Sequence, residues 1–341
     1  MKIDRDTARG FLGVFMALVI IAGIDFVKPS VSSAPDYRCG TGSSSEVLID
    51  VSQGESGSSI AEELFRSGVV QSSTAFFRVA VTDPRAGSIA PGIHRIQSKL
   101  CASDALSQLL DRSRIENLLA IPEGAWRSEI FAALQKIGYA AGEIASAAKA
   151  AKIPSGFSSL EGLLFPAQYS FDSSTALPKI FDTLISRSMS ELKEAGFAES
   201  QEKFSAQELL IIASLVQAEG KTQDFTKISQ VVRNRLAKGM PLQFDSTVHY
   251  IMESRGTIFL SRRSTLINSP YNTYRRTGLP PTPINNPGSD ALYAATHPEN
   301  GEWLYFITVA PGDTRFTESY SEFMGWKVLY KKNLRAGKFG G

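Results

Sequence analysis

The sequence predicts an α+β protein with an N-terminal transmembrane helix, a small α/β module and a larger mixed α+β domain. Three observations carry this reading. A charge-free run, GFLGVFMALVIIAGI, occupies residues 10–24. A strand-turn-helix pattern then occurs twice, at an offset of 70 residues. From about residue 140 helical patterns dominate, before a proline- and asparagine-rich loop, an aromatic and β-branched strand, and a last helix. At 341 residues, 43% hydrophobic and 21% charged, the chain has room for about two packed domains and a tether.

Residues 9–28 reach roughly 30 Å as a helix whose ends snorkel, enough for a bilayer core. Lys2, Arg5 and Arg9 favour a cytoplasmic segment over residues 1–8. The other reading is a cleaved signal peptide, cut after Ser32-Ser33-Ala34, although Pro35 directly beyond the cut argues against it. Residues 29–45, rich in Ser, Pro and Gly, read as a flexible linker. Cys39 and Cys101 are the two cysteines. In an exported domain they can form a disulfide, or both can be free and buried.

Residues 46–115 read as the small module. Val51, Gly54, Ile60, Leu64 and Gly68 recur as Ile121, Gly124, Ile130, Leu134 and Gly138. Each copy is a short strand (VLIDV, NLLAI), a glycine turn and an amphipathic helix closed by glycine. Between them GIHRIQS reads as a strand and Ser103–Arg112 as a helix. In the larger domain, 116–335, helices are expected in GEIASAAKAAK, LPKIFDTLISRSMSELKEAG, SAQELLIIASLVQAEG, TKISQVVRNRLAKG and TESYSEFMGWKVLYKKN, with a strand at WLYFITVA.

Glu219 stands out among the polar residues. Ser205 and Glu208 form a capping box that starts its helix. Leu209, Ile212 and Val216 recur at helical spacing, and Glu219 is the next position on that stripe. Desolvation and the negative helix end both push such a carboxyl's pKa upward, toward what a general acid near neutral pH requires.

Several segments together resemble the MltG/YceG-type endolytic murein transglycosylases. They are the IPEG turn (Ile121–Gly124), LEGLLFPAQY (Leu160–Tyr169), ASLVQAEG (Ala213–Gly220), VVRNRLAKGMPLQFDSTVHY (Val231–Tyr250), SPYNTYRRTGLPPTPINNPG (Ser269–Gly288) and WLYFITV (Trp303–Val309). The resemblance implies a single-pass protein of the bacterial inner membrane, with a LysM-like module over 46–115 and a periplasmic catalytic domain. It implies cleavage of the MurNAc-β-1,4-GlcNAc bond in nascent peptidoglycan strands, leaving 1,6-anhydroMurNAc ends and terminating elongation. Glu219 would be the catalytic acid and base. Because the sugar's own C6 hydroxyl is the nucleophile, the chemistry needs no metal or organic cofactor and no second carboxylate.

Around Glu219, the same segments supply the expected substrate-binding residues. These are Asp245 and Thr247 in QFDSTV, Asn272, Thr273 and Tyr274 in the YNTY loop, and Gln168 and Tyr169 in FPAQY. For Asp245 a turn or helix cap is the alternative, and for the YNTY residues hydrogen bonding within the loop. Asn234-Arg235 reads as the site of a structural ion pair. The chain departs from the family pattern at Gln217, where a carboxylate is usual, at Ala167-Gln168 in place of Asp-Thr, and at Arg315, near a usual histidine.

Peptidoglycan strands, the membrane and peptidoglycan synthases are the partners implied. Those departures keep a second class of function open, a peptidoglycan-binding scaffold with a weak or inactive catalytic domain. Lys227 to Arg276 holds nine Lys or Arg against two acids, but no nucleic-acid-binding module matches, and export removes that ligand. His94, His249 and His297 are scattered, without metal-ligand spacing.

Overall fold

The computed structural model describes residues 34–339, apart from 53, 172–173, 199–202 and 256–259. The expected membrane span, 9–28, and residues 1–8 lie outside the described residues. Among those described, no helix is long and apolar enough to cross a membrane. The chain divides into two compact units, one ending at Ile115 and the other starting at Glu116.

In the first unit β1 (Glu46–Val51) pairs antiparallel with β2 (Gly92–Gln97), setting Glu46 against Gln97 and Val51 against Gly92. Helices α1 (Gly57–Arg66), α2 (Ser73–Thr82) and α3 (Ala102–Leu110) complete it. Strand alternation sends Ile49 and Val51 inward, where they join Ile60, Leu64, Phe76 and Leu106 in one core. Helix α2 is not among the expected elements, because STAFFRVAVT is rich in strand-favouring residues. Its serine cap, Ser72 accepting from the Ala75 N–H, and the burial of Phe76 make it a helix.

The expected linker is shorter on its C-terminal side than residue 45. Cys39 is disulfide-bonded to Cys101. The Asp36 carboxylate accepts from the Ala102 N–H at 3.1 Å, capping α3, and the Gly40 N–H donates to Asp104 at 2.8 Å. Residues 36–40 are thereby fastened to the start of α3.

The second unit contains two small antiparallel sheets, β3 (Leu118–Ala120) with β4 (Gln168–Ser170) and β5 (Tyr305–Ala310) with β6 (Asp313–Thr317). Helices α4 (Arg127–Lys136), α5 (Ala141–Ala150) and α6 (Leu177–Glu194) share a core with β3 through Leu119, Ile130, Leu134, Ile144 and Phe181. The five repeated positions have matching environments. Val51, Ile60, Leu64 and their counterparts Ile121, Ile130, Leu134 are all buried. Gly54, Gly68, Gly124 and Gly138 all take positive φ, the turn conformation glycine tolerates best.

A further core holds α7 (Ala206–Glu219), α8 (Phe225–Ala237), α9 (Asp245–Ile251) and α10 (Ser289–Thr296), and α11 (Tyr320–Arg335) packs on β5. Helix α7 starts at its capping box, with the Ser205 N–H donating to Glu208 at 2.8 Å. The expected apolar stripe is not what distinguishes it. Every residue from Leu209 to Val216 is buried, so α7 is a core helix without a wet face. Each of its six buried Leu, Ile and Val side chains contributes about 1.5–3 kcal/mol. What surrounds the last turn, not the period of the stripe, defines the environment of Glu219.

Candidate active site

Three segments converge on the end of α7. Gly220 follows Glu219, and a Cβ there would stand 2.2 Å from the tip of the Ile228 side chain on α8, so a side chain at 220 would require Ile228 to shift. The IPEG turn approaches Gln217: a Cβ on Gly124 would lie 3.4 Å from its side chain. The proline-rich loop is fastened to the same helix. Asn285 donates to the Ser214 carbonyl at 2.7 Å, and the Gly288 N–H donates to the Gln217 side-chain oxygen at 2.9 Å. The amide at 217, where the family pattern has a carboxylate, thus holds the loop.

Glu219 is half-buried at the helix end. Burial raises its pKa to about 7, and the charge of Asp245 acts in the same direction. Against these, Ser246 donates its hydroxyl to Oε1, its nearby backbone N–H acts in the same sense, and Arg235 contributes positive charge. With position 217 an amide, Asp245 is the acid that supplies the neighbouring negative charge.

Asp245 is exposed and accepts from the Tyr274 hydroxyl. Burial first, then this bond, pushes the Tyr274 pKa upward. Asp245, Ser246 and Tyr274 thus form a connected polar group beside Glu219. Among the described residues Arg235 makes no ion pair of the kind expected. It is buried, donating at 2.6 Å to each of the Leu304 and Leu242 carbonyls, and its guanidinium lies 5.2 Å from the Tyr305 ring centre. Asn234 donates to the Gly301 and Trp303 carbonyls.

The other expected contacts sit differently. Thr247, Asn272 and Thr273 are buried. Thr247 and Thr273 hydroxyls bond each other at 2.9 Å, and Thr273 accepts from the Phe244 N–H. Asn272 donates to the Thr265 and Ile267 carbonyls and accepts from the Tyr274 N–H. The geometry gives Asn272 and Thr273 the alternative task of holding the YNTY loop, and Thr247 joins Thr273 in fastening that loop to the start of α9. Tyr169 donates to the Phe165 carbonyl at 2.8 Å and stacks on Phe171, and Gln168 pairs with Ala120 in the sheet. Neither lines the cleft beside Glu219.

That open cleft has a volume of about 340 Å³, with Glu123, Trp126, Gln217, Ser246, His249 and Asn285 among its walls. Glu219 is not itself a wall but adjoins it through Gln217, Ala218 and its bond to Ser246. The Asn285 side-chain oxygen is buried there without a hydrogen-bond partner among the described residues. Ser246, Trp126 and Asn285 are site residues that the sequence does not single out. Asn286, next to Asn285, is another. Its side-chain oxygen accepts from Gly162 and Leu164, and its amide donates to Ala125 and Glu161, joining the IPEG, LEG and INNPG segments.

The arrangement defines a two-unit α+β protein in which burial raises two carboxyls, Glu161 and Glu219, to about 7. Glu161 is engaged by Arg127, Tyr250 and Asn286, and Glu219, at the helix end beside a cleft, is the one placed to give and take a proton. The chain belongs to the YceG-like family, which matches residues 49–327. It is 39% identical over 173 residues to an endolytic murein transglycosylase of Bacillus subtilis, covering 50% of this chain and 48% of that protein. It is 29% identical to an endolytic murein transglycosylase of Streptococcus pneumoniae serotype 2, covering 86% of this chain and 59% of that one. The matches thus span about half to three fifths of those relatives. The crystal structure of a putative yceG-like protein from Listeria monocytogenes has the same fold, with a TM-score of 0.56 at 23% identity, covering 83% of this chain and 99% of that one.

Proposed function

We propose that this chain is a membrane-anchored endolytic lytic transglycosylase that cleaves the MurNAc-β-1,4-GlcNAc bond of nascent peptidoglycan strands. The observation that carries the proposal is the Glu219 carboxyl, raised by burial to about 7 beside a cleft and bonded to Ser246. Membership of the YceG-like family and the names of the relatives support the substrate class.

In the first step protonated Glu219 gives its proton to the glycosidic oxygen as the C1–O bond breaks, and the sugar takes on oxocarbenium character. The GlcNAc side leaves as an alcohol. In the second step the C6 hydroxyl oxygen of the same muramoyl residue closes on C1, and its proton passes to the Glu219 carboxylate. The acid is regenerated and a 1,6-anhydro ring remains. A pKa of about 7 suits both steps, because neither protonation state is far from the other in free energy. The Ser246 hydroxyl and N–H stabilise the carboxylate that exists between them.

The apolar run over 10–24, with Lys2, Arg5 and Arg9 before it, supports an N-in anchor that leaves both units on the periplasmic side. The first unit, read as LysM-like, would hold the same polymer, and nascent strands would bring the protein alongside peptidoglycan synthases.

The test compares the native chain with Glu219→Gln on uncrosslinked glycan strands, reading anhydro ends by mass spectrometry. The expected loss in kcat is about 10²–10⁴-fold, the usual contribution of a general acid or base. Equal product from both would remove Glu219 from the chemistry. No product from either would leave the binding-scaffold reading in its place.

A further inference from the structure

A second cleft, of about 390 Å³, adjoins the one beside Glu219. Trp126 borders both, and α9 runs along both. Ser246 and His249 of that helix face the first cleft, Tyr250 and Ile251 the second. The two are thus consecutive stretches along one helix, and a linear polymer lying across Glu219 would continue from one into the other.

The walls of the second cleft are amphipathic. Tyr250 and Tyr271 have ring centres 5.3 Å apart, and Tyr250 meets Trp126 edge-on at 6.0 Å. Ser128, exposed on α4, and Ser269 add small polar groups. At the floor is Glu161, buried and fully engaged. It accepts from the Arg127 N–H at 2.9 Å, from Asn286 at 3.1 Å and from the Tyr250 hydroxyl at 3.1 Å. These bonds fix the orientation of Tyr250. The charged groups that line the cleft are Arg127 against Glu161 and Glu253. That balance offers nothing to draw in an acidic peptide, whereas aromatic rings with hydroxyls suit an uncharged ring that carries both apolar faces and polar edges.

We propose that the second cleft is a saccharide subsite, taking a sugar of the strand next along from the residues at Glu219, with Tyr250, Tyr271 and the Trp126 edge as its walls. This rests on the glycan-cleaving reading of the first cleft. Glu161 is a positioning residue here, holding Tyr250 from below.

The experiment uses the full-length chain carrying Glu219→Gln, with nitrogen-15 labelling of the tryptophan indoles. The chain has three, at 126, 303 and 326. A β-1,4-linked tetramer of N-acetylglucosamine is expected to shift the Trp126 resonance and leave the other two in place. Ser128→Phe, on an exposed helix position, puts a ring into the space that the sugar needs and should weaken that binding by about tenfold or more. In the Glu219 chain, Ser128→Phe should raise KM for long strands by a similar factor while kcat changes little. An unmoved Trp126 resonance, equal binding by Ser128→Phe, or a Trp126 shift with a sugar-free stem peptide but not with the tetramer would each overturn the proposal. An unmoved indole overturns the proposal even if Ser128→Phe does not fold. Because Trp126 borders both clefts, Tyr271→Ala, which alters only the second, is expected to weaken the tetramer-induced shift, and an unchanged shift there would overturn the proposal as well. If the Glu219 chain forms no anhydro ends, the reading of the first cleft fails, while the binding arm still reports on the second.

Discussion

Ser246 donates its side-chain hydroxyl to Oε1 of Glu219, while Asp245, its neighbour in the chain, acts on the same carboxyl in the opposite sense. The serine favours the charged form by hydrogen bonding, and the aspartate disfavours it by charge. Consecutive residues of one short helix therefore pull one pKa in opposite directions.

The first prediction follows from that opposition. Free Glu219 must be protonated to start the reaction, so kcat/KM should fall as pH rises through about 7. Ser246→Ala should move this alkaline limb to higher pH, and Asp245→Asn to lower pH. A pH–rate profile for each variant checks the sign. Shifts in the same direction would contradict the electrostatic account.

Stability should carry the mark of two raised carboxyls. Burial lifts both Glu219 and Glu161 from an ordinary 4.5 to about 7. Between these values the folded state holds protons that the unfolded state has released, so their contribution is full below about 4.5 and is lost as pH rises toward 7. The effect is on the order of 3 kcal/mol for each group over that window. Urea titrations from pH 4 to 8 should therefore show a shallower loss with rising pH for Glu219→Gln and Glu161→Gln than for the native chain.

Asn286 should matter more to folding than to chemistry. Replacing it with Ala leaves the buried Gly162 and Leu164 N–H groups without their acceptor and takes one donor from Glu161, while the Ala125 carbonyl keeps the backbone N–H of residue 286. A loss of about 3 kcal/mol or more is expected from several unsatisfied buried groups. Chemical denaturation of the second unit reads it, and a change below about 0.5 kcal/mol would show that the segments find other partners.

The disulfide makes a separable prediction. Cys39 and Cys101 close a loop with a sequence separation of 62, so reduction should destabilise the first unit by about 2–4 kcal/mol. Hydrogen exchange in β1 and α1 with and without reductant measures it.

Much of this architecture is legible in the sequence because its signals are local. The Ser205–Glu208 cap marks α7, and the repeated glycines mark two turns at positive φ. Glu219 is marked by its motif, whereas the stripe on which it lies belongs to a helix buried on all sides. Which of Asp245, Ser246 and Thr247 faces Glu219 depends on the phase of a seven-residue helix. Its start, after Gln243 at positive φ, carries no spacing signal. Asn272 and Thr273 are polar residues in a loop that must satisfy its own buried backbone, so they turn inward. The link between Glu161 and Asn286 spans 125 residues, and nothing local announces a contact made only by tertiary packing.

The central claim, that Glu219 serves an intramolecular ring closure, has one direct test. Glycan strands are digested by the native chain in heavy-oxygen water, and the new muramoyl ends are weighed. The account predicts ends lighter than a free reducing end by one water and carrying no heavy oxygen. Ends that carry the solvent label would mean that water attacks C1, and the single-carboxyl mechanism would be wrong.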